Sequence, residues 1–292
     1  MGCIAFGFED FIRVPIPAAR ITATVSVVEF DNLCIVCHDI CKNLCHTIKI
    51  FTLFISQIRL KTKIMNIKPY PLIVFDMDGT LIDSLPDIDR SCQTLLKSYG
   101  LPPISTQSVR SKLGDGIKVT VEKILDNAGK EASFIDRNEA IERFVKDYVP
   151  HAADLSKPFE GTEEVLIKFK KNGWKIALCS NKITQAAKNI LEKLNLQSYF
   201  DFIAGGDCFA DKKPYPVHLL GIINYLQVSP TKTVMVGDHL NDILVARNAH
   251  ITGSIFAEWG YGDLCIGKEA TMRARSIKDV PIIAEKMIDK KP

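Results

Sequence analysis

From Pro71 onward, short apolar runs alternate with stretches in which apolar residues recur every three or four positions. The runs Pro71 to Phe75, Lys175 to Cys179, Phe202 to Ala204, Thr233 to Val236 and Ser254 to Ala257 are largely apolar and rich in branched side chains. Such runs predict strands buried on both faces of a parallel sheet. Helical periods lie between them, at Glu163 to Lys171, Thr184 to Leu194, Val217 to Leu226 and Asn241 to Asn248. Strand and helix in regular alternation predict an α/β fold, a Rossmann-like parallel sheet with helices on both faces.

One interval breaks the alternation. Between Ser84 and about Pro158 the pattern is helical only. Ile88, Cys92, Leu95, Leu96 and Tyr99 share one face, as do Ile117, Val121, Ile124 and Leu125, and then Ile141, Phe144, Val145 and Tyr148. Pro102 and Pro103 part the first helix from the next. The expected organisation is a core of residues 70–84 and 158–292 with a helical cap, 85–157, inserted after the first strand. A cap placed there sits over that strand's carboxyl end, where it can exclude water and choose the substrate.

Residues 1–64 carry apolar pieces, Thr22 to Phe30 and Ile48 to Ile58, without a sustained period. No methionine follows Met1 until Met65, just ahead of the first core strand. The expectation is that Met65 is the natural start and that the preceding segment is an over-extended reading frame. Glu9 and Asp10 interrupt the basic, acid-poor beginning that a targeting peptide needs. Met1-Gly2-Cys3 lacks the hydroxyl residue at position 6 that myristoylation prefers. Five of the nine cysteines fall in the first 45 residues, but Cys34, Cys37, Cys41 and Cys45 lack the two separated pairs of a zinc site. Cys92, Cys179, Cys208 and Cys265 stand singly, as free thiols do in a reducing cytoplasm.

At 292 residues and 47% hydrophobic, the chain can bury a substantial core. A net charge of +3 is too mild and too dispersed for nucleic-acid binding. No run of 18 apolar residues suggests a membrane span. A cytoplasmic monomer or homodimer acting on a small metabolite is the expectation.

The candidate chemistry lies at the strand ends. Asp76 and Asp78 follow the first strand two positions apart, so on an extended chain they face the same side, and the chain turns at once through Gly79. Open α/β sheets bind ligands at this edge. Two ionised carboxylates held close repel each other and call for a cation. Later strand ends add Ser180-Asn181-Lys182, which can offer hydrogen-bond donors or simply cap a helix. They also add Lys212-Lys213-Pro214, with a point charge suited to phosphate, and Gly237-Asp238 followed by Asp242. Asp242 alone could be a first-turn charge on a helix dipole. Together these carboxylates fit the oxygen ligation of Mg2+.

Asp76-Met77-Asp78-Gly79-Thr80, Ser180-Asn181, Lys213-Pro214 and Gly237-Asp238 with Asp242 resemble the four ordered motifs of the haloacid dehalogenase superfamily. The resemblance spans roughly residues 70–265 and implies a role for each position. Asp76 would be the nucleophile, forming an aspartyl-phosphate. Asp78 would be the general acid and base. Ser180, Asn181 and Lys213 would bind the phosphoryl group. Asp76, Asp78 through its backbone carbonyl, and Asp238 would hold Mg2+, with Asp242 acting indirectly through water or Lys213.

The resemblance also narrows the reaction. Dehalogenases and phosphonate hydrolases of the superfamily lack an acid at the position of Asp78, and ion-pumping ATPases carry lysine there. Leu113-Gly114-Asp115-Gly116 and Glu258-Trp259-Gly260-Tyr261-Gly262 are similar to segments of its phosphoglycolate phosphatases. Gly114 and Gly116 are expected to bring cap backbone close to the substrate, with Lys112 or Lys118 facing its carboxylate. Another small-metabolite phosphatase, a pyrophosphatase or a β-phosphoglucomutase-like enzyme is the alternative, and a phosphate-binding regulatory protein is the non-enzymatic one. Two positions depart from the pattern: His239, where a small residue is usual, and His250, where glycine often ends the helix.

Overall fold

The computed structural model describes residues 70–289. The expectations for residues 1–64, including the early cysteine group, lie outside the described residues. Six strands form one parallel sheet in the order β5-β4-β1-β6-β7-β8. These are β1 (Leu72–Phe75), β4 (Lys175–Cys179), β5 (Phe202–Ala204), β6 (Thr233–Gly237), β7 (Gly253–Ala257) and β8 (Met272–Ala274). The α/β class with its helical insert is as the hydrophobic pattern predicts.

Successive residues of a strand point to opposite faces, and the core divides accordingly. Ile73, Phe75, Ile176, Leu178, Val234 and Val236 share a cluster with Val165, Leu166 and Phe169 of α5 (Thr162–Lys171), Ile190 of α6 (Thr184–Lys193) and Met287 of α9 (Val280–Asp289). Leu72, Val74, Ala177, Cys179 and Met235 pack on Leu219 and Ile222 of α7 (Pro216–Leu226) and Val245 of α8 (Leu240–Asn248). All four residues of β1 are fully buried. Each such side chain contributes about 1.5–3 kcal/mol of burial free energy.

The insert holds α1 (Leu85–Ser98), α2 (Thr106–Arg110), α3 (Ile117–Asn127) and α4 (Arg137–His151). A two-residue ribbon marks its two crossings, β2 (Ile82–Asp83) pairing antiparallel with β3 (Lys157–Pro158). Buried Asp87 fastens the same place, its Oδ2 accepting from the backbone of Leu155 and Ser156 and from Ser156 Oγ at 2.7–2.9 Å. The apolar faces read in the sequence turn inward, with Ile88, Cys92, Leu95, Leu96, Val121, Ile124, Leu125, Phe144 and Tyr148 all buried.

Strands β2, β3 and β8 and helices α2 and α9 are additions to the expected elements. The first two are too short to show a period, and β8 is an edge strand with two of its three residues exposed. His250 does adopt the left-handed conformation, with φ of 50°. A residue with a Cβ there costs about 1 kcal/mol relative to glycine.

Candidate active site

Strand β1 lies between β4 and β6, with Phe75 in register with Leu178 and Val236. The residues leaving these strands therefore emerge at one edge of the sheet. Here the connections depart to opposite sides of β1, which is the ligand crevice of open α/β sheets. Asp76 is buried, its backbone N–H donating to Val236 O at 2.9 Å. Gly79 makes the turn at φ of 80°, and a Cβ on it would stand 2.3 Å from Asp238 Oδ2. Only glycine meets both demands.

Each of the two leading aspartates has its own lysine. Lys213 Nζ lies 2.8 Å from Asp76 Oδ1 and 2.6 Å from Asp242 Oδ1, with its side chain 2% exposed. Lys182 Nζ lies 3.2 Å from Asp78 Oδ2 and donates to the hydroxyl of Tyr148 in the cap, with its ammonium 4.6 Å from the Tyr148 ring centroid. Asp78 Oδ1 accepts from Ser84 Oγ. Burial works against charge on both lysines, but the carboxylates beside them raise their proton affinity above that of a free lysine. Burial also pushes the Tyr148 hydroxyl up to about 12, against the pull of Lys182, so it is a neutral hydrogen-bonding group.

Asp238 is fully buried and closely cradled. Its Oδ2 accepts from the backbone N–H of Tyr261 at 2.6 Å and Gly262 at 3.2 Å. Its Oδ1 lies 2.9 Å from His239 Nδ1 and 3.4 Å from Thr80 Oγ1. The Gly260-Tyr261-Gly262 segment thus backs a core aspartate. Asp242 Oδ2 accepts from the His239 N–H at 3.0 Å, closing the first turn of α8. Burial, with Asp76 and Asp238 nearby, drives the Asp242 carboxyl upward, and Lys213 opposes the shift. With Lys213 held protonated by two carboxylates, the ion pair is the arrangement consistent with both partners.

Ser180 is buried, and its Oγ accepts from Lys182 N. Asn181 Nδ2 donates to Gly114 O at 3.0 Å and Lys213 O at 3.1 Å, while its Oδ1 is buried without a partner. Gly114 and Gly116, with φ of 105° and 85°, bring the cap loop onto the core. A Cβ on Gly114 would stand 2.5 Å from the His239 ring, and one on Gly116 2.7 Å from Asn181 O. Lys212 Nζ donates to Asp115 O, and Asn241 Nδ2 donates to Asp115 Oδ1 at 2.8 Å.

Asp76, Asp78, Ser180, Asn181 and Lys182 line a cavity of about 40 Å3, with Ile88, Leu113, Ile117, Phe144 and Tyr148 among its cap-side walls. That is room for about three waters. Lys213, Asp238 and Asp242 are not among its lining residues; Lys213 joins Asp76 to Asp242.

The donor set fits a divalent cation. One ligand atom from each of Asp76, Asp238, His239 and Asp242 lies within 4.8 Å of the others. Three carboxylates against the single Lys213 ammonium leave a formal charge of −2 before His239 is counted. Asp76 Oδ1 is buried with an ion-pair contact to Lys213 but no well-directed hydrogen bond. Mostly carboxylate oxygen suits Mg2+, and the imidazole adds a softer donor.

Two features were not anticipated. Lys112 Nζ donates to Ser108 O and Oγ at 3.1 and 3.0 Å, and Lys118 is exposed, so neither lines the cavity. The lysine that does is Lys182, two positions beyond Ser180. Its place in the Ser-Asn-Lys segment was a signal, but its partner Tyr148 comes from a distant helix. Tyr261 also braces the first crossing into the insert, its hydroxyl donating to Asp83 Oδ1 at 2.7 Å and accepting from Leu85 N at 3.0 Å. Burial raises the Cys179 thiol to about 12, which leaves it an inert core group rather than a competing nucleophile.

This sheet, insert and strand-end set define a haloacid dehalogenase-like hydrolase, and the chain belongs to that family, whose sequence model matches residues 73–255. Among its relatives, the phosphoglycolate phosphatase of Aquifex aeolicus is 37% identical over 190 residues, spanning 65% of this chain and 85% of that protein. The phosphoglycolate phosphatase of Neisseria gonorrhoeae is 33% identical over 218 residues, spanning 74% and 92%. The crystal structure of a predicted phosphoglycolate phosphatase from Haemophilus somnus superposes with a TM-score of 0.68 at 26% identity, covering 74% of this chain and 98% of that one. No helix among the described residues is long and apolar enough to cross a membrane.

Proposed function

We propose that this hydrolase is a Mg2+-dependent phosphatase whose substrate is 2-phosphoglycolate, cleaved to glycolate and phosphate. The observation that carries the reading is the convergence of Asp76, Asp78 and Lys182 on one small, cap-covered cavity, with Lys213 paired to Asp76 beside it. Asp76 attacks phosphorus in line, the P–O bond to glycolate breaks, and the phosphoryl group rests on the Asp76 carboxylate. Asp78 gives its proton to the departing oxygen, then takes one from the water that attacks the aspartyl-phosphate. Ser180 and Lys213 hold the phosphoryl oxygens, and Asn181 ties their loop to the cap. Asp76, the Asp78 carbonyl and Asp238 would hold the metal, with the His239 imidazole as a further donor and Asp242 acting through Lys213. A divalent cation bound there supplies charge neutralisation and orientation for the phosphoryl group.

The boundaries of core and cap, 70–84 with 158–292 against 85–157, belong to the same reading. The phosphoglycolate phosphatase relatives support the substrate, and the narrow cavity favours a two-carbon leaving group over a sugar ring. A Mg2+-dependent kinetic screen of phosphoglycolate, hexose phosphates and pyrophosphate tests it, with an assay for β-glucose 1-phosphate isomerisation. Phosphoglycolate should give the highest kcat/KM. Asp76→Asn should abolish phosphate release while the melting transition stays cooperative, and substantial residual turnover would exclude Asp76 as the nucleophile.

A further inference from the structure

The mechanism above gives work to Lys213 but none to Lys182. Lys182 is nonetheless almost fully buried, with its side chain 2% exposed, and it lines the cavity beside Asp78. A buried ammonium is costly unless paired and hydrogen-bonded. Asp78 and the Tyr148 hydroxyl are its two partners, and an ammonium has three N–H donors. The third has no hydrogen-bond partner among the described residues. The other cap side chains on the cavity wall are apolar, Ile88, Leu113, Ile117 and Phe144, apart from Thr120, whose hydroxyl is turned to Lys112 O and Gly116 O.

Position fixes what this donor can meet. The bridging oxygen of a substrate must lie within hydrogen-bonding reach of Asp78, and Lys182 Nζ stands 3.2 Å from Asp78 Oδ2, whereas Lys213 is paired with the nucleophile Asp76. A group one or two carbons beyond the bridging oxygen therefore arrives at Lys182. Lys112 and Lys118 are both turned away from the cavity. Among the described residues Lys182 is the cation on the leaving-group side of the cavity.

Resting on the phosphoglycolate reading, we propose that Lys182, held against the cap by Tyr148, is the specificity-determining residue that recognises a carboxylate on the leaving group. A neutral group at that point leaves the ammonium's charge uncompensated by the substrate, and among the described residues the cap side of the cavity carries no second cation. Selection therefore falls on short phosphomonoesters of hydroxy acids. Tyr148 is a positioning residue, fixing the ammonium through its hydroxyl and ring face.

The test compares phosphoglycolate with its amide, O-phosphoglycolamide, which keeps the shape and removes the charge. For the wild-type protein with Mg2+, kcat/KM should favour the carboxylate about 30-fold or more, as expected for a buried charge pair. In Lys182→Met and Lys182→Gln that preference should fall to within about threefold, chiefly through a raised KM for phosphoglycolate, while exposed Lys118→Met keeps the wild-type ratio. A lysine that merely held Asp78 in place would lower both substrates equally and leave the ratio intact, and that result overturns the proposal. A wild-type ratio below about threefold overturns it without any variant, should Lys182 substitutions fail to fold. If the wild-type protein does not hydrolyse phosphoglycolate at all, the substrate reading itself fails; if it does but the ratio ignores Lys182, only this inference falls.

Discussion

Replacing Gly260 with alanine should weaken metal binding without removing a ligand. The added methyl would stand 2.3 Å from Asp238 Cβ, 2.6 Å from Asp238 Oδ2 and 2.5 Å from the Gly79 carbonyl oxygen. None of these is the far end of a flexible chain. The Gly79 turn is fixed by its bond to Ile82 O, so the movable group is the Asp238 carboxylate. Moving it breaks its fit to the Tyr261 and Gly262 N–H donors, at 2.6 and 3.2 Å. A hydrogen bond to a charged group is worth about 1.5–3 kcal/mol. Losing the better of the two corresponds to roughly 10- to 100-fold in metal affinity, the range seen when support behind a ligand is removed. Mg2+ titration by calorimetry reads this directly, and the fluorescence of adjacent Trp259, whose indole N–H donates to Thr80 O at 3.0 Å, gives an optical signal. Gly100→Ala is the control. It meets nothing within 4 Å and carries only the strain of its φ of 68°, so it should cost about 1 kcal/mol of stability and no metal affinity. Gly260→Ala binding Mg2+ within threefold of wild type, with a normal melting transition, would refute the reasoning.

Two further outcomes follow from histidines. His218 is fully buried with neither ring nitrogen well hydrogen-bonded, and burial first, then the Lys213 ammonium, pull it down to about 4. Its folded pKa lies below an unfolded value of about 6.5, so its contribution is intact above that pH and drains away as pH falls toward 4, by on the order of 3 kcal/mol. His218→Leu should therefore lose less Tm than wild type between pH 7.5 and 4.5, and parallel losses would contradict this. His239 sets an imidazole against the carboxylates, so pulsed EPR of bound Mn2+ should show a nitrogen coupling that vanishes in His239→Ser; a wild-type spectrum without it removes His239 from the ligand set.

The parts of the molecule legible in the sequence are those where one residue's surroundings are imposed by its own element. Strands β1, β4 and β6 are buried on both faces, so their apolar runs admit no other reading, and the residues at their carboxyl ends follow without knowledge of any contact. Strand β8 is half out of the core, and Met-Arg-Ala carries no pattern to find. The lysine facing the leaving group depends instead on tertiary direction. Lys112 and Lys118 flank the Gly114–Gly116 loop and look well placed, yet one folds back on its own helix turn and the other faces solvent. Lys182 is chosen because α4, inserted far earlier in the chain, delivers Tyr148 to it.

That delivery bears on how cap and core divide the chemistry. On the metal side, Asp76, Asp238 and Asp242 outnumber Lys213 and leave excess negative charge, a deficit any phosphatase of this design can fill with a cation. On the leaving-group side Lys182 is already paired with Asp78, so an anion is held there only where its oxygen can reach the ammonium's remaining donor, and discrimination needs both charge and position. The fit is set by the cap, but core side chains hold the cap in place: Asn181 and Asn241 both donate to Gly114 O, and Lys212 holds Asp115. Asn181 lies between Ser180, on the phosphoryl side, and Lys182, on the leaving-group side. On the proposed function, one three-residue loop at the end of β4 would therefore serve the phosphoryl group and the leaving group while it holds the cap. Substitutions in the cap helices that shift Gly114 should alter substrate choice and phosphoryl binding jointly, because Asn181, which holds Gly114 O, lies between Ser180 and Lys182 in the chain.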